Sequence, residues 1–295
     1  MNSKSKNFDK LFDDALGYFS NSQFLEAKKT LISLKEMQPN NANILHLLGV
    51  IEFKLENGNK GIELINNAIE INSKIPSFFL NKGAILKSLG KYNEAIDSYN
   101  SAIEMQPDFQ EAYFNRANIY YEINEINKSY NDYSTLIKIN PKSSEAYFER
   151  GNLLSIINKT SDSILDYNNA ISLNPKYSEA YCRRANSLRK LEKFNEAIKD
   201  YDNAIDLNPD MPKAYSGRGL TFLAISKYSN LDRYNEALSD LKKSLLIDPN
   251  LLEAKGGLSI LYLKKGLHQK GLRFSKEFSG LIRFTPKEGV YFINE

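Results

Sequence analysis

The side chains able to do nucleophilic, acid–base or metal chemistry are few and widely separated. The one cysteine, Cys182, has no histidine near it in the chain, and the two histidines, His46 and His268, stand 222 residues apart. They form no local metal motif. Gly217 and Gly219 form no phosphate-binding loop, because no strand is predicted before them and no Gly-Lys-Ser follows. The sequence therefore predicts no catalytic residue, no metal ligand and no cofactor. Cys182 is expected to be an inert small residue, with an accessible thiol as the alternative.

Asparagines recur at a fixed spacing and offer a different kind of chemistry. Asn118, Asn152 and Asn186 lie 34 residues apart, and Asn81 and Asn115 form a second short column. An asparagine amide has both a donor and an acceptor, so it can pair with one peptide group of an extended ligand. Several amides spaced in this way would hold a peptide backbone whatever its sequence. Solvated or locally bonded amides are the alternative interpretation.

Other residues share the side of the predicted helices on which these asparagines lie. Tyrosine and alanine form a stripe that points to the core, and the residues offset from it are expected to line a concave inner wall. The candidate peptide-binding residues on that wall are Asn81, Asn115, Asn118, Tyr121, Phe148, Asn152, Arg183, Asn186 and Arg189.

A recurring pair of opposite charges indicates a structural role. Four repeats carry an arginine in the first helix and an aspartate in the second, whereas the three repeats before them have neither residue. Joint occurrence predicts an ion pair between the two helices of each repeat, while ligand binding by the arginines is the weaker alternative. The predicted pairs are Arg116 with Asp132, Arg150 with Asp166, Arg184 with Asp200, and Arg218 with Asp240.

These residues are positioned by a repeat that runs along the chain. Prolines at 107, 141, 175 and 209 and tyrosines at 113, 147, 181 and 215 each recur every 34 residues. Within one repeat, Tyr113, Ala117 and Tyr120 follow the spacing of a helix face, and Asn140-Pro141 ends a second helix. Each predicted helix pair leaves one apolar face bare, which the next pair must cover.

These columns of tyrosine, small residues, alanine and proline resemble the tetratricopeptide repeat (TPR). The resemblance implies an all-α fold: a right-handed α-solenoid of about seven 34-residue helix-turn-helix repeats with a C-terminal capping helix pair. The short asparagine row is similar to the asparagine ladder of superhelical members of that family. By the same resemblance, the function would be protein binding in a concave groove.

The predicted domain organisation is one solenoid over residues 1–280 and a tail over 281–295. Repeats start near 8, 42, 76, 110, 144, 178 and 212, and a degenerate repeat starts near 252. Six extra residues fall within 225–234. The tail has two β-prone runs around Thr285-Pro286-Lys287-Glu288-Gly289, which favour a short hairpin. A packed tail and a docking strand are both open interpretations of this segment.

Composition narrows the class of partner. The chain has 295 residues, 39 Lys and Arg against 36 Asp and Glu, and a net charge of +3. That balance gives no basic field for nucleic acid, and the glutamates at 111, 145 and 179 would repel phosphates. No apolar run is long enough to span a membrane, and the polar start does not read as a secretory signal. We expect a cytoplasmic protein.

The sequence favours a non-enzymatic scaffold that binds an extended peptide segment of another protein. The alternative is an accessory TPR subunit of a larger enzyme or assembly, with catalysis supplied by another chain. The partner, the pathway and the oligomeric state are not predicted.

Overall fold

The computed structural model describes residues 3–228, 232–279, 283–285 and 289–291. Within these ranges the chain forms sixteen α-helices and a pair of short β-strands. It divides into two compact units, Met1–Pro141 and Lys142–Glu295.

The N-terminal unit is a stack of four helix pairs. The second helix of each pair contacts the first helix of the next, and the first helices α3, α5 and α7 also contact one another in order. The helices are α1 (Ser3–Ser20), α2 (Phe24–Met37), α3 (Ala42–Lys54), α4 (Gly58–Ile71), α5 (Pro76–Ser88), α6 (Tyr92–Met105), α7 (Gln110–Glu122) and α8 (Ile126–Ile139).

The C-terminal unit repeats this arrangement, with contacts between successive first helices α9, α11, α13 and α15. Two antiparallel strands follow, in which Phe284 pairs with Val290. The elements are α9 (Ser144–Ile156), α10 (Thr160–Leu173), α11 (Ser178–Lys190), α12 (Phe194–Leu207), α13 (Pro212–Tyr228), α14 (Tyr234–Ile247), α15 (Leu252–Lys264), α16 (His268–Ser279), β1 (Arg283–Thr285) and β2 (Gly289–Tyr291).

The sequence sets both ends of each second helix. Most of these helices end at a residue that precedes proline, such as Asn174, whose φ of −132° and ψ of 88° lie outside the helical region. Proline disfavours helical geometry in the residue before it. The turn that leads into the second helix contains one residue of positive φ in six successive repeats, at Ser22, Glu56, Gly90, Asn124, Asn158 and Glu192.

The core of the middle repeats is built from one tyrosine of each second helix. Tyr99, Tyr133, Tyr167 and Tyr201 are the largest fully buried side chains. Small residues on the first helix make room for the ring: a Cβ on Gly151 would lie 2.8 Å from Cε1 of Tyr167. The tyrosine and small-residue columns are therefore two halves of one packing contact.

The predicted all-α solenoid of repeated helix pairs is confirmed by this architecture and by its solved relatives. The boundaries given for the repeats and the tail stay predictions. Residues 229–231 of the predicted insertion, and 281–282, 286–288 and 292–295 of the predicted tail, lie outside the described residues.

Candidate functional site

Each asparagine of the 34-residue row is held by a tyrosine of the second helix in its own repeat. The hydroxyl of Tyr133 donates to Oδ1 of Asn118 at 2.6 Å. The same bond joins Tyr167 to Asn152 at 3.0 Å and Tyr201 to Asn186 at 2.7 Å. Burial of the rings raises the pKa of Tyr167 and Tyr201, which keeps both hydroxyls protonated as donors. The amide oxygens of the row are thus engaged inside the protein.

The amide nitrogens of the row differ in what they contact. Those of Asn118 and Asn186 have no hydrogen-bond partner among the described residues, and both side chains are half-buried. Asn152 donates from Nδ2 to Oε2 of Glu149 at 3.1 Å. An amide whose oxygen is fixed by a tyrosine presents its N–H groups in one orientation, so this row offers donors.

Two neighbouring repeats show what happens when the pair is incomplete or replaced. In the repeat before Asn118 the equivalent position is Ala84, and the hydroxyl of Tyr99 is buried without a hydrogen-bond partner among the described residues. In the repeat after Asn186, both positions are apolar, Leu220 and Leu241. The tyrosine–asparagine pair is therefore a feature of three successive repeats.

The second asparagine column is arranged differently. Nδ2 of Asn81 lies 2.8 Å from Nε2 of His46, which stacks on Phe78 with ring centroids 4.4 Å apart. Burial lowers the pKa of His46 to about 4, so the ring is neutral at neutral pH and its nitrogen accepts from the amide. Asn115, one repeat later, is half-buried.

Among the remaining wall candidates, exposure separates accessible residues from core residues. Tyr121 is 49% exposed, and Arg183 is exposed on α11. Phe148 is 8% exposed and packs against Tyr177, with ring centroids 4.7 Å apart. The assignment of Phe148 to the ligand-facing wall is corrected, because contacts with its own chain cover almost the whole ring. Arg189 is half-buried on the same helix as Arg183.

The four arginines of the charge columns each meet the aspartate of their own repeat. In every case Nε and Nη2 of the arginine donate to the two carboxylate oxygens at 2.6–2.8 Å. The aspartate side chains are only 5–9% exposed. Desolvation lowers the pKa of Arg116, but the hydrogen bonds and charge of Asp132 outweigh this effect and raise it overall. Such two-point contacts are strong and directional.

Sequence reasoning missed a second contact of these arginines. Nη1 of Arg116 donates to Asn100 at 2.5 Å, Nη1 of Arg184 to Asn168 at 2.7 Å, and Nη1 of Arg218 to Asp202 at 2.6 Å. These partners all lie on the second helix of the preceding repeat. Each of these arginines therefore links two successive repeats. Their common spacing of 16 residues was the available signal.

Cys182 is 5% exposed, and burial raises the pKa of its thiol to about 11. Within the described ranges there is no cluster of three or more potential metal-ligating side chains. No described helix is both long and apolar enough to cross a membrane.

Comparison with known families decides the affiliation. Models of the tetratricopeptide repeat match residues 83–124, 110–143, 144–177, 178–211 and 228–251, together just over half of the 295 residues. The chain belongs to the tetratricopeptide repeat family. Scaffolds of the TPR type support protein–protein interaction. Comparison with the curated proteins gave no match.

Solved TPR structures share the fold at low sequence identity. The C-terminal part of a TPR protein from Cytophaga hutchinsonii aligns with a TM-score of 0.68 at 19% identity, covering 84% of this chain and 99% of the other. A TPR protein from Parabacteroides merdae gives a TM-score of 0.59 at 19% identity, covering 90% and 99%. YrrB, a TPR protein with an unusual peptide-binding site, gives 0.55 at 20% identity, covering 68% and 97%.

Proposed function

We propose that this TPR protein is a non-enzymatic scaffold that binds an extended peptide segment of a partner protein along its first helices. The contact residues are the asparagines of the row, Asn118, Asn152 and Asn186. Further contacts on the same helices come from Asn81, Asn115, Tyr121, Arg183 and Arg189. Oriented amide N–H groups would donate to carbonyl oxygens of the bound backbone.

The tyrosine–asparagine pair is the observation that supports this proposal most directly. Because each amide oxygen already accepts from a tyrosine hydroxyl, the amide does not have to be ordered when the ligand binds. Ligand binding costs less free energy when the receptor groups are already in place. Each amide–carbonyl bond would contribute about 0.5–1.5 kcal/mol net. The peptide-binding site of YrrB agrees with this mode of recognition in a TPR fold.

Affinity capture with two matched triple variants tests the proposal. Asn118, Asn152 and Asn186→Ala removes the three amides and the three internal hydrogen bonds. Tyr133, Tyr167 and Tyr201→Phe removes the same three bonds and keeps the amides. Proteins captured by wild type and by the phenylalanine variant, but lost from the alanine variant, are expected to be groove ligands. Equal capture by the alanine variant and wild type would contradict the proposal.

Both variants are expected to fold. Tyrosine paired with alanine occurs naturally in this chain as Tyr99 with Ala84, so the alanine variant reproduces an existing combination. Circular dichroism and a urea unfolding curve would verify this before capture.

The same capture tests the alternative role of accessory subunit. If the protein that depends on the amides is an enzyme, its activity with and without this chain distinguishes a regulatory subunit from a passive scaffold. A captured enzyme whose rate is unchanged by this chain would contradict the accessory role.

A further inference from the structure

Two arginines on α11 lack the carboxylate partner that the column arginines have. Arg116, Arg150, Arg184 and Arg218 are each paired with an aspartate. Arg183 and Arg189 make no ion pair with any residue in the part of the chain that the structure describes. Both lie on the first helix that carries Asn186, so two positive charges without a counter-charge flank a proposed contact residue.

Arg189 is also incompletely hydrogen-bonded. Its Nε is buried and has no hydrogen-bond partner among residues 3–228, 232–279 and the strand segments. Its charge acts on the hydroxyl of Tyr201, where it opposes the burial that raises the pKa of that tyrosine to about 12. Because Tyr201 donates to Asn186, the three side chains form one cluster. A buried guanidinium N–H without an acceptor is costly, so an acceptor from a ligand would relieve it.

The sign of the charge changes along the first helices of the C-terminal unit. The position occupied by Glu145 and Glu179 in two successive repeats is Lys213 in the next. The position of Glu149 becomes Arg183 one repeat later. The face is therefore acidic on α9 and becomes basic across α11 and the start of α13.

Lys213 lies where a cation is unfavourable without a counter-charge. It is exposed in the first turn of α13, which has no acidic residue, whereas α9 and α11 have a glutamate there. The N-terminal end of a helix is partly positive and favours anions. Both Arg183 and Lys213 act on the thiol of Cys182, which places them around the same buried residue. Glu179 acts on that thiol in the opposite sense.

We propose that Arg183, Arg189 and Lys213 bind an acidic side chain, Asp or Glu, of the extended peptide whose backbone contacts Asn186. This inference rests on the proposed peptide-binding function and adds the charge of the ligand at one position. The acidic residue would lie over α11 and the start of α13, one repeat or more away from the glutamates of α9.

A single carboxylate suits this surface better than a nucleic-acid backbone. The basic area contains only three cations, and Glu145, Glu149 and Glu179 lie on the same row of helices. A chain of phosphates would have to pass those glutamates, which would repel it. A peptide with one acidic residue meets only the basic part.

A positional peptide library tests the proposal. The probes are ten-residue peptides with an acetylated N-terminus and an amidated C-terminus, randomised without charged residues, with Glu, Gln or Lys fixed at one position. Wild type is expected to retain Glu-fixed peptides about 5- to 10-fold better than Gln-fixed ones at low salt, and the ratio should fall as salt screens the charges. Arg183→Gln with Arg189→Gln should bring the ratio close to one. Arg183→Glu with Arg189→Glu should favour Lys.

The matched control changes two exposed lysines that lie on second helices of the same unit. Lys199→Gln with Lys242→Gln removes the same net charge and should leave the preference for Glu unchanged. Arg183→Gln alone is the second variant, because this exposed side chain can be changed without disturbing the core, and it should lower the ratio about 2- to 3-fold.

The outcomes separate the two proposals. If wild type retains peptides without preferring Glu, and the Asn→Ala triple variant loses them, the acidic-residue inference is wrong and the scaffold function stands. If the lysine control abolishes the preference as fully as the arginine variant does, the effect is net charge and the inference is also wrong. If wild type retains no peptide from the library, both proposals are overturned.

Discussion

The hydroxyl of Tyr201 and the side-chain oxygen of Asn186 are 2.7 Å apart, and this bond ties the buried core of a repeat to a residue proposed to contact ligand. The ring is completely buried, whereas the asparagine is half-buried. Packing of the core therefore determines how the amide is oriented. A substitution on the hidden side of the repeat would change the proposed binding side without touching it.

Ala84→Asn should stabilise the protein. It would place an amide oxygen where the buried hydroxyl of Tyr99 has no partner, as Asn118 does for Tyr133 one repeat later. We expect the free energy of unfolding to rise by about 0.5–1.5 kcal/mol, the usual net value of one hydrogen bond. Urea unfolding measures the change.

The control for this substitution is the Tyr99→Phe background. There Ala84→Asn has no hydroxyl to accept from and should give no gain. A similar gain with and without the hydroxyl would show that the effect comes from something other than the predicted bond.

Arg184→Ala should destabilise the protein by about 2–4 kcal/mol. The substitution leaves the carboxylate of Asp200, whose side chain is 6% exposed, without its charged partner, and an unpaired buried charge is costly. It also removes the bond to Asn168 on the preceding repeat. Thermal and urea unfolding measure the loss.

A double substitution separates the ion pair from packing. Two positions equivalent to Arg184 and Asp200 are leucines in the second repeat, Leu48 and Leu64, and both are buried. Arg184→Leu with Asp200→Leu should therefore be less destabilising than Arg184→Ala. A double variant that is worse than the sum of the single variants would contradict this account.

His46 should make stability depend on pH. Its pKa is lowered by burial to about 4 in the folded protein, from 6.5. Between these values the unfolded chain binds more protons than the folded one, so stability falls as pH drops from 6.5 towards 4. We expect this residue to account for about 2–3 kcal/mol of that loss.

His46→Gln isolates the contribution. The variant should lose stability less steeply than wild type over the same pH range, whatever its stability at neutral pH. His268→Gln, at an exposed histidine of α16, is the matched control and should keep the wild-type slope. Parallel curves for wild type and His46→Gln would exclude the predicted role.

Cys182 should be unreactive in the folded protein. The thiol is 5% exposed and its pKa is raised to about 11, and thiols react as thiolates. We expect modification by a thiol reagent at pH 8 to be at least about 100-fold slower than in guanidinium, in which the chain is unfolded. Equal rates in both conditions would favour the accessible thiol instead.

The fold was predictable because its signal is repeated. Proline, tyrosine and small-residue columns mark helix ends and core contacts several times over, so single exceptions such as Ser73 do not hide the pattern. The arginine and aspartate columns could be matched in the same way, by their joint presence in four repeats. The structure places these arginines and aspartates in direct contact.

The site was less predictable because its residues play several parts. Asparagine and tyrosine columns were both visible, but the bond between them needs the relative rotation of two helices, which spacing alone does not give. The burial of Phe148 depends on Tyr177, which lies outside the helices in the turn before α11. The orphaned Nε of Arg189 depends on packing around one atom, and no sequence pattern reports that.

The arginines that reach into the preceding repeat have a consequence for how the array comes apart. If the helix pair that holds Asn168 opens, Arg184 loses an acceptor in its own, still intact pair. Damage at one position is thereby passed to its neighbour instead of staying local. Within each unit we expect the linked repeats to melt as a block, with fraying confined to the pairs that lack such an arginine.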